Sequence, residues 1–259
     1  MSMGVLARAA GGAGKTEIGW NDTPSTVRWS LYAAGLVLLA ALYYLSVRVG
    51  LGFRFQHSQI GVIWPANAVL LAALLLVPPR RWWGVLLAIA IAHAAVMAPS
   101  LPSWRILWQI LGNTAFTVTA ASVLRRVTDF PLRFETYRQV VAYTGISLSV
   151  SALYAPTTPA FVRSLFHLEP NAPFPALVRT TLSNGTALML IVPVVLLGAH
   201  HGSRPLRSAS RRRFVEAAIM TLALCGVDQL AFFTGPKIAS FPWLLLWIIP
   251  PLMWTAVRF

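Results

Sequence analysis

Long apolar runs alternate along the chain with short stretches of basic and polar residues. A membrane-spanning helix needs roughly 20 mainly apolar residues in a row, with about 17 to 25 as the usual range. The pattern therefore predicts an all-α, polytopic integral membrane protein. We expect eight transmembrane helices, at residues 29–47, 60–77, 82–98, 106–124, 138–155, 176–199, 214–233 and 241–257.

The first 28 residues differ from the rest because they contain several charges and no apolar core. A cleavable signal peptide needs an apolar central region, so this stretch is not typical of one. We expect residues 1–28 to form a flexible cytoplasmic tail and residues 29–259 to form one eight-helix membrane domain. The loops on the opposite side are short, the longest being 156–175, which predicts no separate folded domain on that side.

The composition fits a membrane protein, because 57% of the residues are hydrophobic and 11% are charged, whereas about a quarter are charged in soluble domains. Of the 21 Lys and Arg residues, 15 fall on the side of the tail and six on the other side. Positive residues concentrate on the cytoplasmic side of membrane proteins. Both termini are therefore predicted to be cytoplasmic, and the net charge of +14 indicates topology rather than nucleic-acid binding.

Five polar side chains are predicted at one depth in five different helices: Asn67, His93, Asn113, Asn184 and Asp228. At 1.5 Å per helical residue, each lies roughly 7 to 12 Å below the outer surface. Polar groups are costly in hydrocarbon, and ionisable ones at that depth are candidates for function. We expect a ligand-binding layer. The alternative is that the amides and Asp228 only hydrogen-bond across helices and that His93 is a packing residue.

Two features flank the second predicted helix. Proline is tolerated in a first helical turn, where its missing N–H loses no partner, and tryptophan favours the headgroup level. Trp64 and Pro65 are therefore predicted to set how this helix enters the membrane, with Asn67 facing the polar layer. Arg80 and Arg81, in the Pro-Pro-Arg-Arg turn that follows, are predicted to anchor the turn on the cytoplasmic side.

Signals for catalysis, metals and cofactors are weak. Cys225 is the single cysteine, so neither an internal disulfide nor a cysteine cluster for a metal can form. No Ser-His-Asp, paired-carboxylate or His-x-x-x-His arrangement falls at a common depth. The sequence therefore predicts a chain that is not an enzyme, with no cofactor and no metal site.

Four segments together resemble a known family: VIWPANAVLLAALLLVPPRRWWGVLLA, LGNTAFTVTAASVLRR, LSNGTALMLIVPVVLL and PWLLLWIIPPLMWTAVRF. The resemblance is to the bacterial membrane-associated sensor domain of the first type (MASE1) and covers about residues 30–259. The features similar to the family are a Trp-Pro entering the second helix, a basic-aromatic turn before the third, a Gly-Asn opening the fourth and a Gly-Asp-Ala type turn of sequence in the sixth. Here they are Trp64-Pro65, Arg80 to Trp83, Gly112-Asn113 and Asn184 to Ala187.

The resemblance implies an eight-helix sensory module of the kind found ahead of histidine kinase, diguanylate cyclase or phosphodiesterase output domains. Two sites depart from the family pattern. Ala66 and Asn67 stand where a second proline and a Ser-Gly are usual, and Asn184-Gly185 stands at an acidic position. If the family acid handles a proton or a cation, that role is lost here or has moved to Asp228.

Together these observations predict a multi-pass sensory domain of the bacterial inner membrane. It would detect a small ligand or an envelope condition and relay it to a cytoplasmic histidine kinase or cyclic-di-GMP enzyme, beyond Phe259 or on a partner protein. The expected partners are the lipid bilayer, this output and, as an open alternative, a second copy of the chain in a homodimer. The alternative function is a small-solute permease or a membrane subunit of a transporter, in which polar residues would continue to the cytoplasmic side.

Overall fold

The computed structural model describes residues 25–53, 61, 63–158, 162, 163, 166, 173–201, 212, 215 and 219. Every regular element within these residues is helical. The α-helices are α1 (Ser25–Gly52), α2 (Pro65–Leu76), α3 (Trp82–Met97), α4 (Ser103–Val127), α5 (Tyr137–Tyr154) and α6 (Pro173–His201). Short 3-10 turns occupy Pro79–Arg81 and Ala155–Thr157.

Four of these helices, α1, α4, α5 and α6, are long and apolar enough to cross a membrane. The helices α2 and α3 are shorter, with 12 and 16 residues. The first six predicted segments each coincide with one of the helices, so the chain is an all-helical, multi-pass membrane protein in its described part. The predicted helices at 214–233 and 241–257 lie outside the described residues except for 215 and 219. The count of eight and the side of the termini therefore stay predictions.

The start of α2 differs from the predicted start at residue 60. The helix begins at Pro65, and Trp64 before it has φ −117° and ψ 82°. A residue that precedes proline is disfavoured in the α region, because the proline ring collides with its backbone. Proline itself fits the first helical position. The apolar residues before Trp64 extended the predicted helix too far, since hydropathy does not register this steric limit.

α2 is the central helix of the described bundle. It packs against α1, α3, α4 and α6, and nine of its 12 residues are buried. Its leucines Leu70, Leu71 and Leu74 are fully enclosed. Because α2 contacts four neighbours, polar residues in its first turn lie where several helices meet.

The outer faces of the other helices remain apolar and exposed. Large side chains on α1, α3 and α4 extend away from the packed core, among them Val37, Leu38, Leu87, Ile91 and Leu107. Exposed apolar surface of this extent is unusual for a soluble protein. Lipid tails are the natural contact for these faces, and the exposure therefore agrees with the hydropathy of the chain.

The end of the bundle that carries residues 77–81, here named the knuckle end, is held by Arg125 from the last turn of α4. Its Nη2 donates to the carbonyl oxygens of Leu74 (3.1 Å), Leu75 (3.0 Å) and Val77 (2.9 Å). The last carbonyls of a helix have no partners within that helix. Trp82 Nε1 donates to two of the same oxygens, those of Leu74 and Val77. The end of α2 is thereby fixed to α3 and α4.

Arg80 and Arg81 are both exposed in the 3-10 turn of the knuckle end. The Tyr32 hydroxyl of α1 donates to the carbonyl oxygen of Arg81 (3.1 Å), and the Arg81 guanidinium lies 5.3 Å from the centroid of the Tyr32 ring. A cation over an aromatic face at this range is attracted to it. The two arginines thus sit on an anchored turn, and their cytoplasmic location stays a prediction.

Gly50 lets the start of α2 approach α1 closely. A Cβ atom added at Gly50 would lie 2.9 Å from Cε3 of the Trp64 ring and 3.4 Å from Cδ of Pro65. The rigid indole cannot yield by a simple rotation. We expect Gly50→Ala to lower the free energy of unfolding by about 1–3 kcal/mol, as overpacking typically does. Denaturant unfolding of the purified protein in detergent micelles measures this change.

Gly35 provides the matched control within the same helix, because a Cβ there meets no heavy atom within 4 Å. Alanine in a helix interior is favoured over glycine by about 0.5–1 kcal/mol. Gly35→Ala is therefore expected to be neutral or stabilising. Equal stability of the two alanine variants would show that Trp64 does not pack on Gly50 in the membrane domain.

Candidate ligand-binding site

A cavity of about 750 Å³ lies at the end of the bundle opposite the knuckle end. The helices α1, α3 and α5 end there, and α2, α4 and α6 begin there. Polar side chains of α2, α4 and α6 line it together with the indole rings of Trp64, Trp104 and Trp108. Small-molecule sites usually measure about 300–1,000 Å³ and combine an apolar lining with a few polar groups. The cavity has the size and the lining of such a site.

Asn67 and Asn184 join α2 to α6 in the cavity wall. Asn67 Nδ2 donates to Asn184 Oδ1 at 2.7 Å, and Asn184 Nδ2 donates to the backbone oxygen of Thr180 at 3.1 Å. Asn67 is only 3% exposed, and its Oδ1 has no hydrogen-bond partner among the described residues. A buried acceptor without a partner is costly. A ligand that offers a donor would remove this cost.

Thr180 presents a second buried polar atom to the same cavity. It lies one helical turn before Asn184, is 5% exposed, and its Oγ1 has no partner within the described part of the chain. The next turn is tied to α2 through the backbone, because the Trp64 N–H donates to the oxygen of Ser183 at 3.4 Å. Two unpaired atoms, Asn67 Oδ1 and Thr180 Oγ1, therefore belong to one wall made by α2 and α6.

Asn113 and Gln109 line the cavity from α4. They are four residues apart, so they lie on the same face of the helix, one turn from each other. This places three of the five predicted ligand-binding residues, Asn67, Asn113 and Asn184, around one cavity.

His93 lies behind this wall and does not line the cavity. It is fully buried, with its Nδ1 3.2 Å from the Tyr43 hydroxyl and its Nε2 3.0 Å from Gln109 Oε1. An amide oxygen can only accept, so Nε2 carries the proton and Nδ1 accepts from tyrosine. A neutral histidine satisfies both bonds. The groups Tyr43, His93 and Gln109 thus form a chain of hydrogen bonds that reaches the cavity wall at Gln109.

Comparison with known proteins identifies the family. A model of the MASE1 family matches residues 35–259. The chain belongs to the MASE1 family. This confirms the resemblance carried by the four sequence segments. No curated protein and no solved structure matches the chain.

MASE1 is a family of membrane-associated sensory input domains, and these domains are not catalytic. Membership supports the role of a membrane sensor for this chain and its association with the lipid bilayer. Among the described residues of this MASE1 chain, no group of three or more His, Cys, Asp or Glu side chains could hold a metal ion. The described cavity therefore offers amides, hydroxyls, indoles and guanidinium groups as its binding chemistry.

The remaining predicted site residues of the MASE1 chain have different positions. Asp228 lies outside the described residues. Trp64 precedes the first residue of α2 and borders the cavity, while Pro65 occupies the first helical position and is buried. Their predicted effect on how the second helix enters the membrane stays a prediction, and Asn67 follows Pro65 by two residues.

Sequence reasoning missed several polar residues of the MASE1 site. Tyr43 and Gln109 hold His93, and Thr180 contributes an unpaired hydroxyl. Two of the three carry a recognisable signal, because Gln109 lies four residues before Asn113 and Thr180 lies four before Asn184. A search for polar neighbours one turn from each predicted amide would have found them. No predicted site residue lies on α1, so the contact of Tyr43 with His93 follows only from tertiary packing.

Proposed function

We propose that this chain is a sensory input domain that binds a small ligand in the cavity lined by Asn67, Asn113 and Asn184. The observation that carries the proposal is the Asn67 side chain, which bridges α2 to α6 and keeps an unpaired, buried oxygen in the cavity wall. A polar atom left without a partner at this depth is retained at a cost in stability. Ligand binding gives that atom a function.

The hydrogen bonds around the cavity indicate how a bound ligand would change the arrangement of the helices. Asn67 connects α2 with α6, and the chain from Gln109 through His93 to Tyr43 connects α4 with α3 and α1. A ligand that bonds to the amides better in one helix arrangement than in another shifts the population toward that arrangement. Because α2 and α4 are clamped together at the knuckle end, a shift at the cavity is passed along both helices.

We also propose the topology, the location and the output domain that the sequence predicts. The domain has eight transmembrane helices, cytoplasmic termini and a location in the bacterial inner membrane, and Asp228 joins the polar layer. The output is a cytoplasmic histidine kinase or cyclic-di-GMP enzyme, in the same protein beyond Phe259 or on a partner, and a homodimer is one assembly that could carry it. The distribution of Lys and Arg supports this orientation.

The rival function, transport of a small solute, requires a polar path through the membrane. In the described structure the part of α2 beyond Asn67 is packed with buried leucines and alanines. This supports a cavity that is open to one side. Uptake of a solute into vesicles that contain the purified protein would favour the rival.

The proposal predicts that alanine at Asn113 or Asn184 makes the signalling output insensitive to growth conditions and leaves membrane insertion unchanged. The chain is joined at Phe259 to a diguanylate cyclase domain, and cyclic-di-GMP is measured in cells alongside the amount of protein in the membrane. We expect a constant output in both variants, because the cavity loses an amide that distinguishes the two helix arrangements.

The control is Ser147→Ala, which removes a buried hydroxyl of α5 that does not line the cavity. This variant should respond like the parent. If Asn113→Ala and Asn184→Ala both keep the full response at normal membrane levels, the cavity is not the sensory site.

A further inference from the structure

We infer that the cavity accepts a small organic anion with a flat apolar body and a hydroxyl group at the end away from the anion. The inference rests on the proposed sensory function, because it specifies the ligand of the same cavity. It is based on three properties of the described wall: its charge, its aromatic lining, and the two buried polar atoms that lack partners.

The charged residues of the described wall are both cationic. Arg105, near the start of α4, and Arg163 line the cavity, and the described lining contains no Asp or Glu. Arg105 lies 5.1 Å above the Trp104 ring, which orients its guanidinium. A guanidinium group matches the geometry of a carboxylate and binds it through two parallel hydrogen bonds. Asp228 and Glu169 lie outside the described residues, so the argument applies to the described wall.

The start of α2 adds to the positive character of the cavity. This helix begins beside the cavity, and no side chain caps its first turn. The N-terminus of a helix carries a partial positive charge. By itself this end would not define a site, but Asn67 in the same turn lines the cavity, is buried and has an oxygen without a hydrogen-bond partner.

The two buried atoms without partners, Asn67 Oδ1 and Thr180 Oγ1, are here named the polar floor. They favour a ligand that also donates a hydrogen bond. Asn67 Oδ1 can only accept, whereas Thr180 Oγ1 can donate or accept. A hydroxyl group serves both atoms, since it donates to the amide oxygen and accepts from the threonine. An apolar end would leave both atoms unpaired in the complex. The floor therefore distinguishes a hydroxylated ligand from an otherwise identical one without the hydroxyl.

The lining of α4 extends from the cationic Arg105 to the amide of Asn113. Arg105 and Asn113 are eight residues apart in α4, which corresponds to roughly 12 Å along the helix axis. Trp108 lies within this interval, with Trp104 just before it and Phe116 three residues beyond it, and the Trp108 indole is fixed by its hydrogen bond to the oxygen of Thr157 at 2.8 Å. A single aromatic ring with an anionic arm and a para hydroxyl matches this lining, with the anion toward Arg105 and the hydroxyl toward the buried polar atoms.

Equilibrium dialysis measures the binding of three probes to the full chain in lipid nanodiscs. The probes are 4-hydroxyphenylacetate, phenylacetate, which lacks the hydroxyl, and tyramine, which replaces the anion with a cation. We expect 4-hydroxyphenylacetate to bind with a dissociation constant of about 1 mM or below, and each of the other probes to bind about tenfold more weakly. Equal binding of tyramine, or no binding of 4-hydroxyphenylacetate, overturns the inference.

Two variants assign the preferences to the wall. Thr180→Val keeps the volume and removes the hydroxyl, so it should reduce the preference for 4-hydroxyphenylacetate over phenylacetate. Arg105→Gln should reduce the preference for the anion over tyramine. The control is Thr117→Val, the same change at a fully buried threonine of α4 outside the cavity, and it should bind all probes like the parent.

The probe series on the parent protein stands even if a variant fails to fold. It is also independent of the signalling experiment. Loss of the signalling response in Asn113→Ala together with no preference for the anion would reject this ligand class and keep the sensory site. A clear preference for the anion with unchanged signalling would keep the binding site and reject its sensory role.

Discussion

Arg125→Ala is expected to lower the free energy of unfolding by roughly 3 kcal/mol, because it removes the donors that cover the end of α2. Hydrogen bonds to a charged group contribute about 1.5–3 kcal/mol each, and a buried carbonyl left unpaired adds a further cost. One nitrogen of Arg125 serves three carbonyl oxygens, at 2.9 to 3.1 Å. Its guanidinium also lies 4.0 Å from the centroid of the Phe130 ring. Thermal unfolding of the protein in detergent micelles measures the change.

Arg126 gives the neighbouring control. It is exposed in the same last turn of α4, so Arg126→Ala removes the same charge without touching α2. Its effect should stay within about 0.5 kcal/mol, as for most surface substitutions. Arg125→Lys keeps the charge and loses the fork of donors, and its stability should fall between those of the parent and Arg125→Ala. Equal stability of Arg125→Ala and Arg126→Ala would show that the clamp contributes nothing.

His93→Leu is expected to lower the free energy of unfolding by roughly 2 to 4 kcal/mol. The change leaves the fully buried Tyr43 hydroxyl without its acceptor, which costs about 1–3 kcal/mol. It also leaves the half-buried Gln109 Oε1 without its donor. Leucine replaces the volume of the ring, so the loss reflects hydrogen bonding rather than a cavity. Unfolding of the purified variant in detergent micelles measures it.

A double-mutant cycle with Tyr43→Phe tests whether the hydrogen bonds act together. Tyr43→Phe alone removes one donor and should cost about 1–2 kcal/mol. The double variant should be more stable than the sum of the two changes predicts, by about 0.5–3 kcal/mol, as for residues of one network. Tyr44→Phe, at a neighbouring exposed position, controls for the loss of a hydroxyl. Additive costs for Tyr43→Phe and His93→Leu would exclude the network.

The helices were predictable from hydropathy because the bilayer imposes both length and apolar character. The ends were less predictable, as α2 shows: the apolar residues before Pro65 continue the hydrophobic run, but the proline prevents them from joining the helix. The contacts of Arg125 could not be predicted from the sequence. In the sequence Arg125 is a basic residue at the boundary of a loop, and 51 positions separate it from Leu74, whose oxygen it contacts.

Part of the lining of the candidate site was predictable where polarity at membrane depth was the signal. Asn67, Asn113 and Asn184 were selected by their depth alone, and they line one cavity. His93 was selected by the same criterion, but it faces Tyr43 and Gln109 behind the wall. Depth fixes position along a helix and not rotation about its axis. The direction in which each side chain points follows from packing, which a single sequence does not give.

The leucines of α2 also determine how well the membrane remains insulated. Between Asn67 and Leu76 the helix runs for about 14 Å, and Leu70, Leu71 and Leu74 are enclosed on all sides by neighbouring helices. A hydrated ion that crossed this stretch would lose its water shell at a cost of tens of kcal/mol. A bilayer that contains this domain should therefore hold its proton gradient even while the cavity fills with water.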